Sequence, residues 1–201
     1  MIKTEIESPV IIPLEGDTEG QAETCMKARE YVNPMDSVLV STCDSGYLYD
    51  GGQFESLVDT GVDCIVWTFT KTEILKSRPY DWGWCELNRD GETIKDVSVK
   101  KPISDNPYND NAIVAVFYFR QASDLFSAIT LMMGQKVEGE FYMDNIPLLF
   151  KEMGKCSVIF NVDLYVEFGT TAGLYNYNLI EYHCRYGSYD DVLWKKYFNS
   201  I

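Results

Sequence analysis

Two acidic residues, a pair of lysines and two glycine-containing motifs carry the side-chain chemistry that could act on a ligand. Asp44 closes the apolar run Ser37–Thr42 (SVLVST) at Cys43-Asp44, where open α/β sheets place their ligand crevice. A carboxylate there can hold a hard cation such as Mg2+, usually with help from substrate phosphates. It can equally cap a turn with Ser45 and Gly46. Asp144 is a second such carboxylate, or else the N-cap of the helix that follows it. In Lys100-Lys101-Pro102 the proline biases Lys101 towards an extended backbone. A lysine held that way can neutralise a phosphate; the alternative is a solvated loop pair. Gly20-Gln21-Ala22 opens a helix after a polar loop, so its backbone N–H groups and side-chain amide can bind an anion or read a base edge. It is neither a Walker nor a dinucleotide fingerprint. In Trp82-Gly83-Trp84 a glycine between two indoles lets backbone approach a sugar ring, and edge-strand packing explains the same tripeptide. His183 is the only histidine. With no G-x-S-x-G elbow and no clustered ligands, a His-based triad or zinc site is not expected.

The elements that must position these residues read as alternating strands and helices. Val10–Leu14 reads as a short buried strand, followed by the polar loop Glu15–Gly20 and a helix over about Gln21–Val32, stopped by Asn33-Pro34. Ser37–Thr42 has the pattern of a central parallel strand buried on both faces. A helix over Gly51–Thr60 and a buried strand over Cys64–Phe69 complete a β-α-β-α-β order, which argues for an open sheet with right-handed crossovers. Trp82–Leu87 and Glu92–Val99 read as strands around an Asp-Gly turn. Ala112–Phe119 is the most strand-like run of the chain. Helices are expected over about Ala122–Met133 and Asp144–Met153, the latter tolerating Pro147 in its first turn. Short strands at Ser157–Asn161 and Leu164–Glu167 lead into a Tyr-rich, helical C-terminal stretch.

Composition narrows the function classes. The 201 residues carry a formal charge of -14 and are 46% hydrophobic, which excludes wholesale disorder and suits one domain. Clustered Lys and Arg, which nucleic-acid backbones require, are absent, so no nucleic-acid partner is expected. No apolar run approaches the ~20 residues that span a bilayer, and Met1–Glu5 has no apolar signal core; no membrane partner is expected. The six cysteines form no CxxC and no zinc spacing, so they read as buried, reduced thiols of a cytoplasmic protein.

One family unites these motifs in order and spacing. The set Thr18-Glu19-Gly20-Gln21-Ala22-Glu23-Thr24, the run ending at Asp44, Trp82-Gly83-Trp84, Lys100-Lys101-Pro102-Ile103-Ser104, Ala112–Phe119, Gly139-Glu140-Phe141-Tyr142-Met143-Asp144 and Phe168-Gly169-Thr170 resembles the sugar-1-phosphate nucleotidyltransferases, also called nucleotide-sugar pyrophosphorylases. The nearest likeness is to compact bacterial forms found with capsule and lipopolysaccharide genes. The resemblance spans about residues 8–175, leaving 176–201 as a C-terminal helical extension of a single domain. It implies a Rossmann-like open mixed sheet with a sugar-binding half. The implied reaction joins a nucleoside triphosphate to a sugar 1-phosphate and releases pyrophosphate. By position, Gln21 would contact the base with Gly20 letting it approach, and Asp44 and Asp144 would share Mg2+. Gly83 would lie against the sugar, Lys101 or Lys100 would hold the sugar phosphate, and Glu167 would sit beside the sugar. In-line attack on the α-phosphorus needs positioning and charge neutralisation more than a protein nucleophile, and two carboxylates on a metal with one or two lysines are suitable equipment.

Three departures from the family pattern accompany the likeness. Nothing before Gly20 resembles the family's opening strand and Gly-rich triphosphate loop, so the chain reads as N-terminally truncated. Val99 or Lys100 stands where a Glu usually precedes the lysine. Ala115 replaces a glycine in the strand over Ala112–Phe119. The expectation is therefore a nucleotidyltransferase-like protein, weak or inactive as this chain. An alternative is a non-catalytic remnant that binds a nucleotide sugar or a partner. A further alternative is a GT-A-like glycosyltransferase, although Asp44-Ser45-Gly46 lacks an Asp-x-Asp. An uncovered sheet edge would favour self-association, a rearranged sheet, poor solubility, or a partner supplying the absent part.

Overall fold

A computed structural model of the chain describes residues 9–135, 139–187 and 190–200. The stretch read for a signal core, Met1–Glu5, lies outside the described residues. In chain order the elements are α1 (Gln21–Met26), β1 (Val38–Val40), β2 (Ser45–Leu48), α2 (Gly51–Asp59), β3 (Cys64–Phe69), α3 (Glu73–Ser77), β4 (Gly83–Leu87), β5 (Ile94–Val99), β6 (Asn111–Phe119), α4 (Ala122–Gly134), α5 (Ile146–Glu152), β7 (Ser157–Asn161), β8 (Leu164–Glu167), α6 (Thr171–Tyr186) and α7 (Val192–Ser200).

The main sheet is open and mixed, in the order β5-β4-β6-β3-β7, with β1 also paired to β6. Strands β3 and β6 form its centre because they are apolar on both faces; all six residues of β3 are buried. Cys64 and Val66 face one side with Phe117 and Phe119, against α4 and α5. Ile65, Trp67 and Phe69 face the other with Val114, Val116 and Tyr118, where Phe54 and Leu57 of α2 cover them. Burying each such aromatic or branched side chain contributes roughly 1.5–3 kcal/mol. β3 runs parallel to β7 and antiparallel to β6. A separate two-stranded sheet of β2 and β8 packs with α6 and α7 through Leu48, Val166, Tyr197 and Phe198. The Asp50 side chain caps α2 by accepting from Gln53 N at 3.1 Å.

One irregularity in β6 shapes the molecule. The pairing of β3 with β6 shifts between Val66 and Thr68, from Val66↔Phe117 to Thr68↔Ile113. The bulge lets Ala115 take a φ of 59°, a conformation that glycine adopts far more readily. The opposite edge of β6 is shared by two strands. β4 pairs with Asn111 and Ala112, and β1 with Phe117–Phe119. The stretch around the bulge is left between them.

Several sequence expectations are revised. Val10–Leu14 is neither strand nor buried: Val10, Ile11 and Leu14 are exposed and the segment has no regular structure. An apolar run needs a neighbouring strand, and none reaches this one among the described residues. The expected central strand Ser37–Thr42 is reduced to the three residues of β1, which among the described residues pair only with β6, antiparallel; Leu39 is 51% exposed. β1 and β3 are parallel to one another, as the alternating pattern implied, but β6 lies between them. The first helix ends at Met26, and a 3-10 turn covers Arg29–Tyr31. β2 and α3 escape the periodicity reading because they are short and half polar. The thiols are all free, yet only Cys64 and Cys85 are buried, while Cys43 and Cys156 are exposed.

Candidate functional site

The gap between β1 and β4 along one edge of β6 is the floor of a cleft. A cavity of about 170 Å3 there is lined by Gln21, Thr42, Asp44, Ser45, Asp81, Trp82, Gly83, Lys100, Ile113, Val114, Ala115, Tyr142, Asp144 and Tyr165. A second depression of about 280 Å3, lined by Thr24, Cys25, Val40, Phe117 and Met143 among others, shares Gln21, Thr42 and Ala115 with it. Five residues singled out in the sequence, from five separate stretches of chain, therefore meet at one cavity: Gln21, Asp44, Gly83, Lys100 and Asp144.

Each acid is seated against a glycine. A Cβ on Gly83 would fall 2.2 Å from Asp144 Oδ2, and one on Gly169 would fall 2.6 Å from Asp44 Oδ2; at both positions any larger residue would displace the carboxylate. Asp44 lies four residues beyond β1. Its carbonyl accepts from Phe168 N at 3.2 Å, and Oδ1 accepts from the Thr42 hydroxyl. Asp144 lies in a 3-10 turn over Met143–Asn145 ahead of α5. It caps no helix: Asn145 holds the N-cap position of α5, without a side-chain bond. The Asp144 carboxyl is buried and, among the described residues, accepts no hydrogen bond. Burial pushes its pKa up to about 6, partly opposed by the Lys100 ammonium. A buried carboxylate without hydrogen-bond donors carries a desolvation cost that Lys100 offsets only in part, and a bound cation would relieve it.

The two lysines separate. Lys100 has a φ of 58°, its N–H donates to Trp82 O at 2.9 Å, and its Nζ donates to Asp81 O at 3.0 Å. This twist at the end of β5 turns Lys100 to the cavity, whereas Lys101 is exposed and outside its lining. Glu167, at the end of β8, is also outside the lining. Arg78 Nη1 donates to both its carboxylate oxygens at 2.9 Å, and Thr170 Oγ1 donates to Oε1 at 3.2 Å. Gly20 precedes α1 with a φ of 136°, and a Cβ there would sit 2.6 Å from Phe141 N. It thereby allows α1 to dock on the loop before Asp144, where Ala22 N donates to Phe141 O at 3.0 Å. His183 is exposed on α6, away from the cleft.

Sequence reasoning missed Asp81 and Tyr165, which line the cavity from a loop and the small sheet. Nothing in their spacing marks them. Tyr142, part of the motif ending at Asp144, lines the cavity as well. Gly169 carried a signal, as part of Phe168-Gly169-Thr170, but its use as the seat of Asp44 required the pairing of β2 with β8. The residues present suit a hard divalent cation: two carboxylates at one cavity, one of them buried and without a donor. Among the described residues no three His, Cys, Asp or Glu side chains gather as a metal cluster, so further ligands would come from substrate and water.

No protein-family model matches the sequence, and no curated protein matches it. Solved structures do. A nucleoside-diphosphate-sugar pyrophosphorylase from Vibrio cholerae superposes with a TM-score of 0.64 at 16% identity, over 81% of this chain and 66% of that one. A chain described as a glucose-1-phosphate thymidylyltransferase from Bacillus anthracis, crystallised with sucrose, superposes with a TM-score of 0.62 at 14% identity, over 88% of this chain and 65% of that one. The chain thus spans just under two thirds of the length of these neighbours. Its open mixed α/β sheet, with a cleft where β1 and β4 part, shares the Rossmann-like fold of these two structures.

Proposed function

We propose that the cleft is a sugar-1-phosphate nucleotidyltransferase site. It would transfer a nucleotidyl group from a nucleoside triphosphate to a sugar 1-phosphate with release of pyrophosphate, slowly or not at all in the chain as it stands. The observation that carries this reading is the convergence of Asp44 and Asp144 on one cavity with Gln21, Gly83 and Lys100. The fold likeness to two sugar-nucleotide enzymes supports it.

Asp44 and Asp144 would hold Mg2+. When bound, the ion neutralises phosphate charge and favours in-line displacement at the α-phosphorus. The protein's own residues do the rest. Lys100 would offset the charge of the sugar phosphate. Gln21, at the start of α1, would offer its amide to the base, and Gly83, whose missing side chain seats the Asp144 carboxylate, would lie in the wall against the sugar. Burial of Asp144 keeps the acid acceptor-rich and water-poor, which strengthens its hold on a cation. With Lys101 outside the cavity and Glu167 bound to Arg78, Lys100 is the one cationic side chain lining the cavity among the described residues, which would make for low turnover on a polyanionic substrate pair. The same fact favours a second reading, a site that binds a nucleotide sugar without turnover.

The experiment is calorimetric titration with a panel of nucleoside triphosphates and nucleotide sugars, with and without Mg2+, alongside a pyrophosphate-release assay. Mg2+-dependent binding lost in both Asp44→Asn and Asp144→Asn is expected. Pyrophosphate release selects the enzyme; nucleotide-sugar binding alone selects the binder. Binding that ignores both substitutions removes the site from this cleft.

A further inference from the structure

We infer that two copies of this chain pair by exchanging strands, each laying its Val10–Ile12 segment along the open edge of β1 in the other. Among the described residues the main sheet has three outer edges, on β5, β7 and β1. β5, at one end, carries the exposed charges Lys95 and Asp96, which discourage pairing. β7, at the other end, is covered by the β4–β5 turn: Thr93 bridges Val158, and Ile159 N donates to Glu92 O at 3.0 Å. β1 has neither protection. Its residues are Val38, Leu39 and Val40, flanked by the uncharged Ser37 and Ser41, and among the described residues they pair with β6 alone. Leu39 is 51% exposed, and Tyr31 and Met35, in the approach to β1, are exposed too.

The same chain holds the complement. Val10, Ile11 and Ile12 are β-branched, the composition of a strand, yet they lie in no strand, and their backbone makes no hydrogen bond to another described residue. Val10 is 64% and Ile11 84% exposed. The segment matches β1 in length, three residues against three. Pro13 ends it, lacking the N–H that a longer ladder would need. An unguarded edge and an unpaired strand-forming segment on one chain are self-complementary, so a two-fold dimer satisfies both twice, by strand addition. A second copy is therefore the occupant. The inference is independent of the reaction proposed for the cleft.

The test uses the whole chain, its Ile11→Lys and Leu39→Lys variants, and an isotope-labelled mixture of the two. Light scattering over a concentration series and native mass spectrometry are the readouts. Both substituted side chains are exposed, so the variants keep the parent's circular dichroism; serine at either site is the substitute if lysine disturbs it. The parent is expected to dimerise, and each variant to dimerise at least about tenfold more weakly. Mixing the variants is expected to restore heterodimers, because one keeps an intact edge and the other an intact segment. A parent that stays monomeric overturns the inference. So does a dimer indifferent to either substitution; one indifferent to Ile11→Lys but lost in Leu39→Lys marks a symmetric β1–β1 contact instead. Loss in both variants with no heterodimer on mixing overturns it as well.

Discussion

At the residue scale the governing fact is the burial of Asp144. A carboxylate with a pKa raised to about 6 from 3.8 keeps its proton in the native state over a window in which the unfolded chain has lost it. The stability it contributes is fully present below about pH 4 and is lost as pH rises through about 6, so at neutral pH the buried charge is a net cost. Asp144→Asn should therefore raise stability by on the order of 2 kcal/mol above pH 7, and the gain should vanish near pH 4. Denaturant melts at the two pH values check this. Mg2+ should raise the melting temperature of the parent and not of the variant. A variant less stable than the parent at neutral pH would show that the Lys100 interaction outweighs burial.

At the scale of elements, β6 concentrates the strain. Ala115 sits at a φ of 59° within a strand, where an L-residue other than glycine is held against a preference of about 1–2 kcal/mol. Against that stands the greater chain entropy of glycine, about 0.5–1 kcal/mol. Ala115→Gly should thus leave stability unchanged or raise it by up to about 1 kcal/mol. Ala112→Gly, in regular and fully buried strand, should lower it by at least about 0.5 kcal/mol. Urea unfolding of the two variants gives the comparison. Because Ala115 lines both halves of the cleft, Ala115→Gly also removes a methyl from the wall between them.

At the scale of the whole molecule, a formal charge of -14 repels itself in the compact state. Raising ionic strength from about 0.01 M to about 0.15 M shortens the Debye length from about 30 Å to about 8 Å, so the melting temperature should rise with added NaCl at neutral pH. The arrangement of ion pairs limits the opposing effect. The pairs are mostly at the surface, as with Lys76–Glu73 and Lys95–Glu86, and such pairs contribute about 0–1 kcal/mol each. A melting temperature that falls with salt would show that these pairs outweigh the net repulsion.

The elements with strong local signals were legible in the sequence. Cys64–Phe69, Ala112–Phe119, Ser157–Asn161 and Leu164–Glu167 read as strands and are strands, because their apolar and β-branched composition favours extended chain and each finds a pairing partner. The motif residues Gln21, Asp44, Gly83, Lys100 and Asp144 were also named from residue type and position. What tertiary structure alone decided is partnership. Val10–Leu14 and Ser37–Thr42 carry the same apolar signal as the core strands, but a strand becomes central only where others pair with both its edges, and no local pattern specifies that. The choice of Lys100 over Lys101 for the cavity depended on one backbone twist at the end of β5, and the seating of Asp44 on Gly169 on the antiparallel register of β2 with β8. Contacts between distant segments are set by how the sheet closes around its bulge, a property of the assembled fold that nearest-neighbour chemistry does not contain.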